Sequence, residues 1–243
     1  MTDLNLQVVE TSGFDLLESA SLNANLGVSF SKTPYFSKRM MARYIEWTTR
    51  HFDKLLIIVA DHLEVYNAQV FKGLSYEEAC RRTLEVGQQL RIGYRRATPD
   101  ELSHRVSVRL ASEIIEEAEC AVLITHIRNL VLNHSEFNRD LRASISQALS
   151  DKLAAAPTAG LPLDAAMDTL ANYLIEELAI VLYINHRAPI RYPVLVFPHF
   201  IPSILSKLYD EPYLSLFAEI NRGETFRSLK LVWGPNEDLD AGS

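Results

Sequence analysis

The 243-residue chain predicts an α/β fold: an open, mostly parallel sheet of Rossmann-like layout with helices on both faces. Three observations carry this. Short apolar runs of strand length alternate with long amphipathic stretches. One run, Leu55 to Ala60 (LLIIVA), is continuously apolar and ends at Asp61, as a strand buried on both faces does. No internal repeat or linker divides the chain, so one domain spanning 1–243 is expected.

Taken in order, residues 1–20 have mixed character and read as a loosely attached arm. Residues 22–28 (LNANLGV) read as a first strand running into Ser29, followed by a polar loop. Phe36, Met40, Tyr44, Ile45 and Phe52 recur near helical spacing and predict a helix over 35–51. A long helix follows over 75–97, with Ser75 as its cap, Glu78 as capping-box partner and Pro99 beyond its end. Residues 106–110 alternate as a strand. Residues 121–124 fit either a buried strand or the start of a helix. Residues 137–156 read as a helix, 156–162 (APTAGLP) as a break, and 164–186 as a second long helix. A strand over 193–197, helical material to about 221 and a strand near 229–233 complete the pattern. The acidic tail from 234 reads as disordered.

Composition narrows the function. About half the residues are hydrophobic (48%), an ordinary globular value, but no run of membrane-spanning length is free of charge. The opening MTDLNLQVVE lacks a basic region, so a cytoplasmic protein is expected. Cys80 and Cys120 stand apart and read as small buried hydrophobes. The seven histidines show no metal-ligand spacing, and no glycine-rich nucleotide motif occurs, so neither metal nor cofactor is expected. The net charge of −7 is uneven: from Arg81 to Arg109 seven arginines stand against three acids. That segregation leaves room for a phosphate-binding face on an acidic protein.

Three groups of residues could carry chemistry. Ser29 follows the first strand, where an open α/β sheet presents functional groups; it is either a nucleophile or part of a polar turn. Tyr173 and Glu177 are four apart on a helix whose face is otherwise apolar (Leu170, Leu174, Leu178, Val181). They either bind an ammonium group or place Glu177 with Glu176 on the wet side. Arg91, Arg95 and Arg96, with Arg81 and Arg82 earlier on the same helix, either track a phosphate backbone or form a solvated face. Lys38, Arg39 and Arg43 form a weaker basic cluster.

Together these features resemble the cyclodipeptide synthases. Their first signature, H-x-[LVI]-[LVI]-G-[LVI]-S, is met by Asn23 to Ser29, with Asn23 in place of His and Asn25 in place of an aliphatic. Their second, Y-[LVI]-x-x-E-x-P, is met by Tyr173 to Ala179, with Ala179 in place of Pro. A third landmark is a tyrosine followed by His or Pro; Arg191-Tyr192-Pro193, with Lys32 three residues after the serine, resembles the Pro-type (XYP) subfamily. The resemblance spans roughly residues 23–200.

The resemblance implies a fold similar to the catalytic domain of a class I aminoacyl-tRNA synthetase, without its ATP motifs. It implies that two aminoacyl-tRNAs are partners and that the product is a cyclic dipeptide (2,5-diketopiperazine). Ser29 would carry aminoacyl and then dipeptidyl groups in a ping-pong sequence, with a ribose hydroxyl as proton relay. Tyr173 and Glu177 would hold the ammonium, and Tyr192 would assist the last proton transfer. Gly27, Lys32, Ile180 and Ile190 would belong to the substrate pocket, and Arg91, Arg95 and Arg96 would grip the tRNA. No membrane, cofactor or metal is implied, and a monomer is favoured. Two rivals stand beside this reading: a serine esterase or acyltransferase, and a non-catalytic tRNA-binding module on a synthetase-like fold.

Overall fold

The computed structural model describes residues 6–30, 35–155, 158–198, 202–221 and 224–233. Six strands form one sheet: β1 (Leu6–Ser12), β2 (Ala24–Val28), β3 (Leu55–Val59), β4 (Val106–Leu110), β5 (Val194–Phe197) and β6 (Arg227–Trp233). Their order is β1-β6-β5-β2-β3-β4, with every neighbouring pair parallel except β1 and β6. Nine α-helices lie among the described residues: α1 (Lys38–His51), α2 (Leu63–Lys72), α3 (Tyr76–Ala97), α4 (Ala111–Ile115), α5 (Ala118–Asn133), α6 (Ser135–Ala155), α7 (Leu163–Leu182), α8 (Ser203–Lys207) and α9 (Leu214–Asn221).

The strand period of two sorts side chains to the two faces. Ala24, Leu26 and Val28 of β2, with Leu55, Ile57 and Val59 of β3, pack with Met41, Tyr44, Ile45 and Tyr94 of α1 and α3. On the other face Leu56 and Ile58 of β3 and Leu195 of β5 pack with α2, α5 and α7. All five residues of β3 are buried, which is why its sequence is apolar without alternation. The mostly parallel sheet with helices on both faces is the predicted class.

Several boundaries differ from the sequence reading, each for a physical reason. Residues 6–12, expected in a loose arm, form β1, an edge strand. Most of its residues are exposed and its register slips between Val8 and Glu10, so no clean alternation marks it. Residues 121–124 lie in α5, whose Cys120, Leu123, Ile124, Ile127 and Leu130 make a helical buried stripe. The Ser75 hydroxyl caps α3 by accepting from Glu78 N, 3.2 Å away. The Glu78 carboxylate turns to Arg81 and Arg82 instead of completing a capping box, and these guanidiniums hold it down at about pKa 2. The second long helix passes into a π-helical turn over Tyr183–Arg187. The tail from 234 lies outside the described residues.

The largest omission is α2. It is buried on most sides (Leu63, Glu64, Val65, Tyr66, Asn67, Ala68 and Val70), so it has little polar face to reveal a 3.6-residue period. It ends at Gly73, whose φ of 62° is the left-handed conformation that glycine adopts without penalty.

α3 crosses the carboxyl end of β3 closely. A Cβ at Gly87 would stand 2.6 Å from Asp61 Cβ and 3.5 Å from Leu110 Cδ2. Asp61 cannot retreat, because it is buried and accepts from Ser112 N (3.0 Å) and Ser112 Oγ (2.6 Å). Gly87→Ala is therefore expected to destabilise the fold by about 1–3 kcal/mol despite better helix propensity. A urea midpoint that does not fall would show that the helix can shift.

Candidate active site

The carboxyl end of β2 builds the site. Asn25, Gly27 and Ser29 alternate with Leu26 and Val28, so they face the α2–α7 layer. Gly27 is level with Ile58 of β3, and Phe197 of β5 comes level with it one position past Leu26↔Val196. Nothing lies within 4 Å of where a Gly27 Cβ would be. The missing side chain thus leaves space beside Ser29, between Ile58 and Phe197.

β3 ends next to β2 and turns directly into α2, whose first turn brings Glu64 to the serine. Ser29 Oγ donates to Glu64 Oε1 at 2.6 Å, and Phe30 N donates to the same oxygen at 3.2 Å. Asn67 Nδ2, one turn on, donates to Glu64 Oε2 at 2.9 Å. A hydroxyl bonded this way has a proton acceptor already in place, which is what activating a serine requires. Glu64 had no motif to announce it. The usable signal was an acid placed five residues after the end of the fully apolar strand β3.

α7 supplies the opposite wall. Tyr173, Glu177 and Ile180 are spaced i, i+4, i+7 and share one face. Tyr173 and Glu177 are half-buried, while Ile180, a turn deeper, is buried. Burial, and then the Glu64 carboxylate, push the Glu177 carboxyl up to about 7. Burial, with Glu177 and Glu64 nearby, raises the Tyr173 phenol well above its ordinary value. The site therefore gathers Ser29, Glu64, Tyr173 and Glu177 around an acidic, poorly hydrated crevice suited to a cationic group.

Glu177 is not on a wet side with Glu176. Glu176 is buried, accepting from Tyr66 Oη (2.7 Å) and Arg128 Nη2 (3.4 Å), with His62 Nε2 at 3.5 Å. Successive acids on α7 thus serve two separate environments.

Tyr192 is not brought to this site. Val194 is level with Ala24, so Tyr192 lies before the amino end of β5 and Ser29 beyond the carboxyl end of β2. At about 3.3 Å per residue the two are roughly 20 Å apart along the strands. Tyr192 packs in the core, donates its N–H to Ile184 O (2.9 Å), and has its phenol pKa raised by burial. The aromatic–proline pair at the serine's end of the sheet is Phe197–Pro198. Ile190 precedes Tyr192 and is 49% exposed, so it too lies away from Ser29. Lys32 lies outside the described residues.

The two asparagines that depart from the first signature hold the segment before β5. Asn23 Nδ2 donates to Arg191 O (2.8 Å), and Asn25 Nδ2 donates to Tyr192 O (2.7 Å) and Val194 O (3.1 Å). The arginines divide. Arg91 is tied to Glu113 (2.5 Å) and to Gln88, and Arg95 reaches Val108 O (3.3 Å) on the edge strand β4. Arg95 and Arg96 are exposed, whereas Arg91 is half-buried.

These features define an α/β protein with a serine–carboxylate site at the carboxyl end of a parallel sheet. Residues 17–217 match the family model for cyclodipeptide synthase, so the chain belongs to the cyclodipeptide synthases, enzymes that make cyclic dipeptides. No curated protein matches it in sequence. Among solved structures it is similar to a cyclodipeptide synthase from Fluoribacter dumoffii (TM-score 0.74, 13% identity, 96% of this chain and 100% of that one). It is also similar to a Mycobacterium tuberculosis protein described as relating cyclodipeptide synthetases to type I tRNA synthetases (TM-score 0.67, 16% identity, 95% and 93%). A third is the synthase from Candidatus Glomeribacter gigasporarum bound to Phe-tRNAPhe (TM-score 0.56, 12% identity, 92% and 91%). At these identities the likeness is one of fold. Among the described residues no helix is long and apolar enough to cross a membrane.

The raised Glu177 carboxyl has a stability consequence. Below pH 4.5 it is protonated in both folded and unfolded chains. Between about 4.5 and 7 the unfolded chain ionises first, so stability falls as pH rises and then levels off above 7. Glu177→Gln is expected to stabilise the fold by up to about 3 kcal/mol at pH 8 and by nothing at pH 4. Denaturant titrations at the two pH values check this; an equal effect at both would assign it to packing.

Proposed function

We propose that the chain is a tRNA-dependent aminoacyltransferase that joins the amino acids of two aminoacyl-tRNAs into a 2,5-diketopiperazine through acyl groups carried on Ser29. The observation that carries this reading is the 2.6 Å hydrogen bond from Ser29 to a buried carboxylate, in a crevice whose other wall bears Tyr173 and Glu177. The substrate arrives as an activated ester, so no nucleotide motif is required. Ser29 takes the first aminoacyl group, and Glu177 and Tyr173 hold its ammonium, which fixes the acyl carbon for attack. The amine of the second aminoacyl-tRNA then displaces Ser29 to give a dipeptidyl-tRNA, or its acyl group accepts the first amine to leave a dipeptidyl-enzyme. The family resemblance favours the dipeptidyl-enzyme.

Ring closure needs the terminal amine neutral. Glu177, with a carboxyl near 7, takes that proton; the amine attacks the Ser29 ester, the C–Oγ bond breaks and Oγ is reprotonated. This replaces the role first given to Tyr192, because the aromatic residue level with Gly27 is Phe197, which has no hydroxyl. The Pro-type subfamily reading rests on Tyr192–Pro193; at the serine's end of β5 the proline, Pro198, follows a phenylalanine in place of the landmark tyrosine. The side-chain pocket is framed by Gly27, Ile58, Phe197 and Ile180, an apolar lining that favours small or apolar amino acids.

The exposed Arg95 and Arg96, with Arg81 and Arg82 earlier on α3, supply sequence-independent phosphate contacts for the acceptor stem. Charged tRNA as substrate places the chain in the cytoplasm. Against an esterase stands the direction of the serine's proton: Ser29 Oγ donates to Glu64 Oε1 at 2.6 Å, the role that a histidine takes in a catalytic triad.

Mass spectrometry after incubation with a pool of charged tRNAs is expected to find an acyl adduct on Ser29 and a cyclic dipeptide, both lost in Ser29→Ala. RNA binding without either would move the assignment to a tRNA-binding module. Gly27→Ala separates pocket from fold. The new methyl meets nothing, so stability should hold or rise by up to about 1 kcal/mol, while the accepted amino acids narrow to smaller ones. An unchanged product spectrum would remove Gly27 from the pocket.

A further inference from the structure

Attack by Ser29 on an acyl ester releases a proton. His62 stands against Glu176, His126 against Leu216 O (3.2 Å) and His186 against Tyr209 Oη (2.8 Å), so these three are engaged elsewhere. Glu64 is at the serine itself. Its Oε1 is 2.6 Å from Ser29 Oγ, in the range of a charge-assisted O–H···O⁻ bond. Both of its oxygens are fixed, Oε1 by Phe30 N and Oε2 by Asn67 Nδ2, and the side chain is buried in the first turn of α2, where the helix end favours negative charge. Tyr173 and Glu177 face it from α7. With its proton directed to Glu64, Ser29 Oγ meets an incoming carbonyl carbon with a lone pair.

We propose that Glu64 is a catalytic residue of the acylation step, the general base for Ser29 and the general acid for the departing tRNA. This rests on Ser29 being the acylated residue. As Oγ bonds to the acyl carbon, the Oγ–H bond breaks and the proton passes to Glu64 Oε1. As the ester bond from the acyl carbon to the terminal ribose oxygen breaks, Oε1 gives that proton to the ribose oxygen. Serine and aminoacyl-tRNA become acyl-serine and tRNA, and Glu64 ends as the carboxylate it began. The two acids then divide the work: Glu64 handles the hydroxyl proton and Glu177 the substrate ammonium. Asn67 is a positioning residue that keeps Oε1 turned to the serine.

The test is the single-turnover rate of Ser29 acylation by a pool of aminoacyl-tRNAs, with tRNA affinity and thermal unfolding measured on the same preparations. Glu64→Gln keeps an acceptor beside Oγ but cannot take the proton, and should acylate about 10²–10³-fold more slowly with unchanged tRNA affinity. Glu64→Asp should recover part of the rate. Glu64→Ala should be accelerated by added formate, a response that a purely structural loss would not give. A Glu64→Gln rate within a few-fold of wild type overturns the proposal. So does a folded Glu64→Ala protein that formate does not accelerate. Absence of any Ser29 adduct in the wild type defeats the functional reading itself, and the Glu64 assignment with it.

Discussion

A carboxylate buried at the start of α2 sets the geometry of the molecule's working end. Removing Glu64 from water is costly unless its lone pairs are used. Three donors use them: the Ser29 hydroxyl, the Phe30 amide and the Asn67 side chain. Two belong to the segment leaving β2 and one to α2. The same contacts that compensate the buried charge therefore join the central strand to the helix beside it and fix the serine.

α7 completes the site from the other side. Its inward face carries Tyr173 and Glu177 toward Glu64, and the neighbouring acid, Glu176, is absorbed by Tyr66, Arg128 and His62. Placing two carboxylates near each other in a dry crevice is unfavourable, as the raised Glu177 carboxyl records. A positive charge placed between them would relieve that repulsion.

Two asparagines, one just before β2 and one on it, take the places of two signature residues and find partners of their own. Asn23 and Asn25 stand where the family signature has a histidine and an aliphatic residue. Both donate to carbonyls of residues 191–194, pinning the chain as it turns from the π-helical end of α7 into β5. Tyr192 is caught in this anchoring and serves the core. Aromatic–proline pairs occur at both ends of β5, and only strand register distinguishes them.

Much of the fold is legible in local sequence because its signals are local. The apolar LLIIVA run, the Ser75 cap and the long stripes of α3 and α7 each follow from the period of a strand or helix. Ser29, Tyr173 and Glu177 were likewise marked as candidates by their places along the chain, and Gly27 by the family resemblance. Local pattern fails where burial is symmetric or contact is remote. α2 has no wet face, so it carries no amphipathic signature, and β1 is too exposed and too irregular to alternate. The Ser29–Glu64 bond spans 35 residues, and only the parallel pairing of β2 with β3 brings its ends together. Sequence by itself determined the layers and one half of the site; the tertiary structure decided which acid meets the serine and which tyrosine does not, because strand register is a property of the whole sheet.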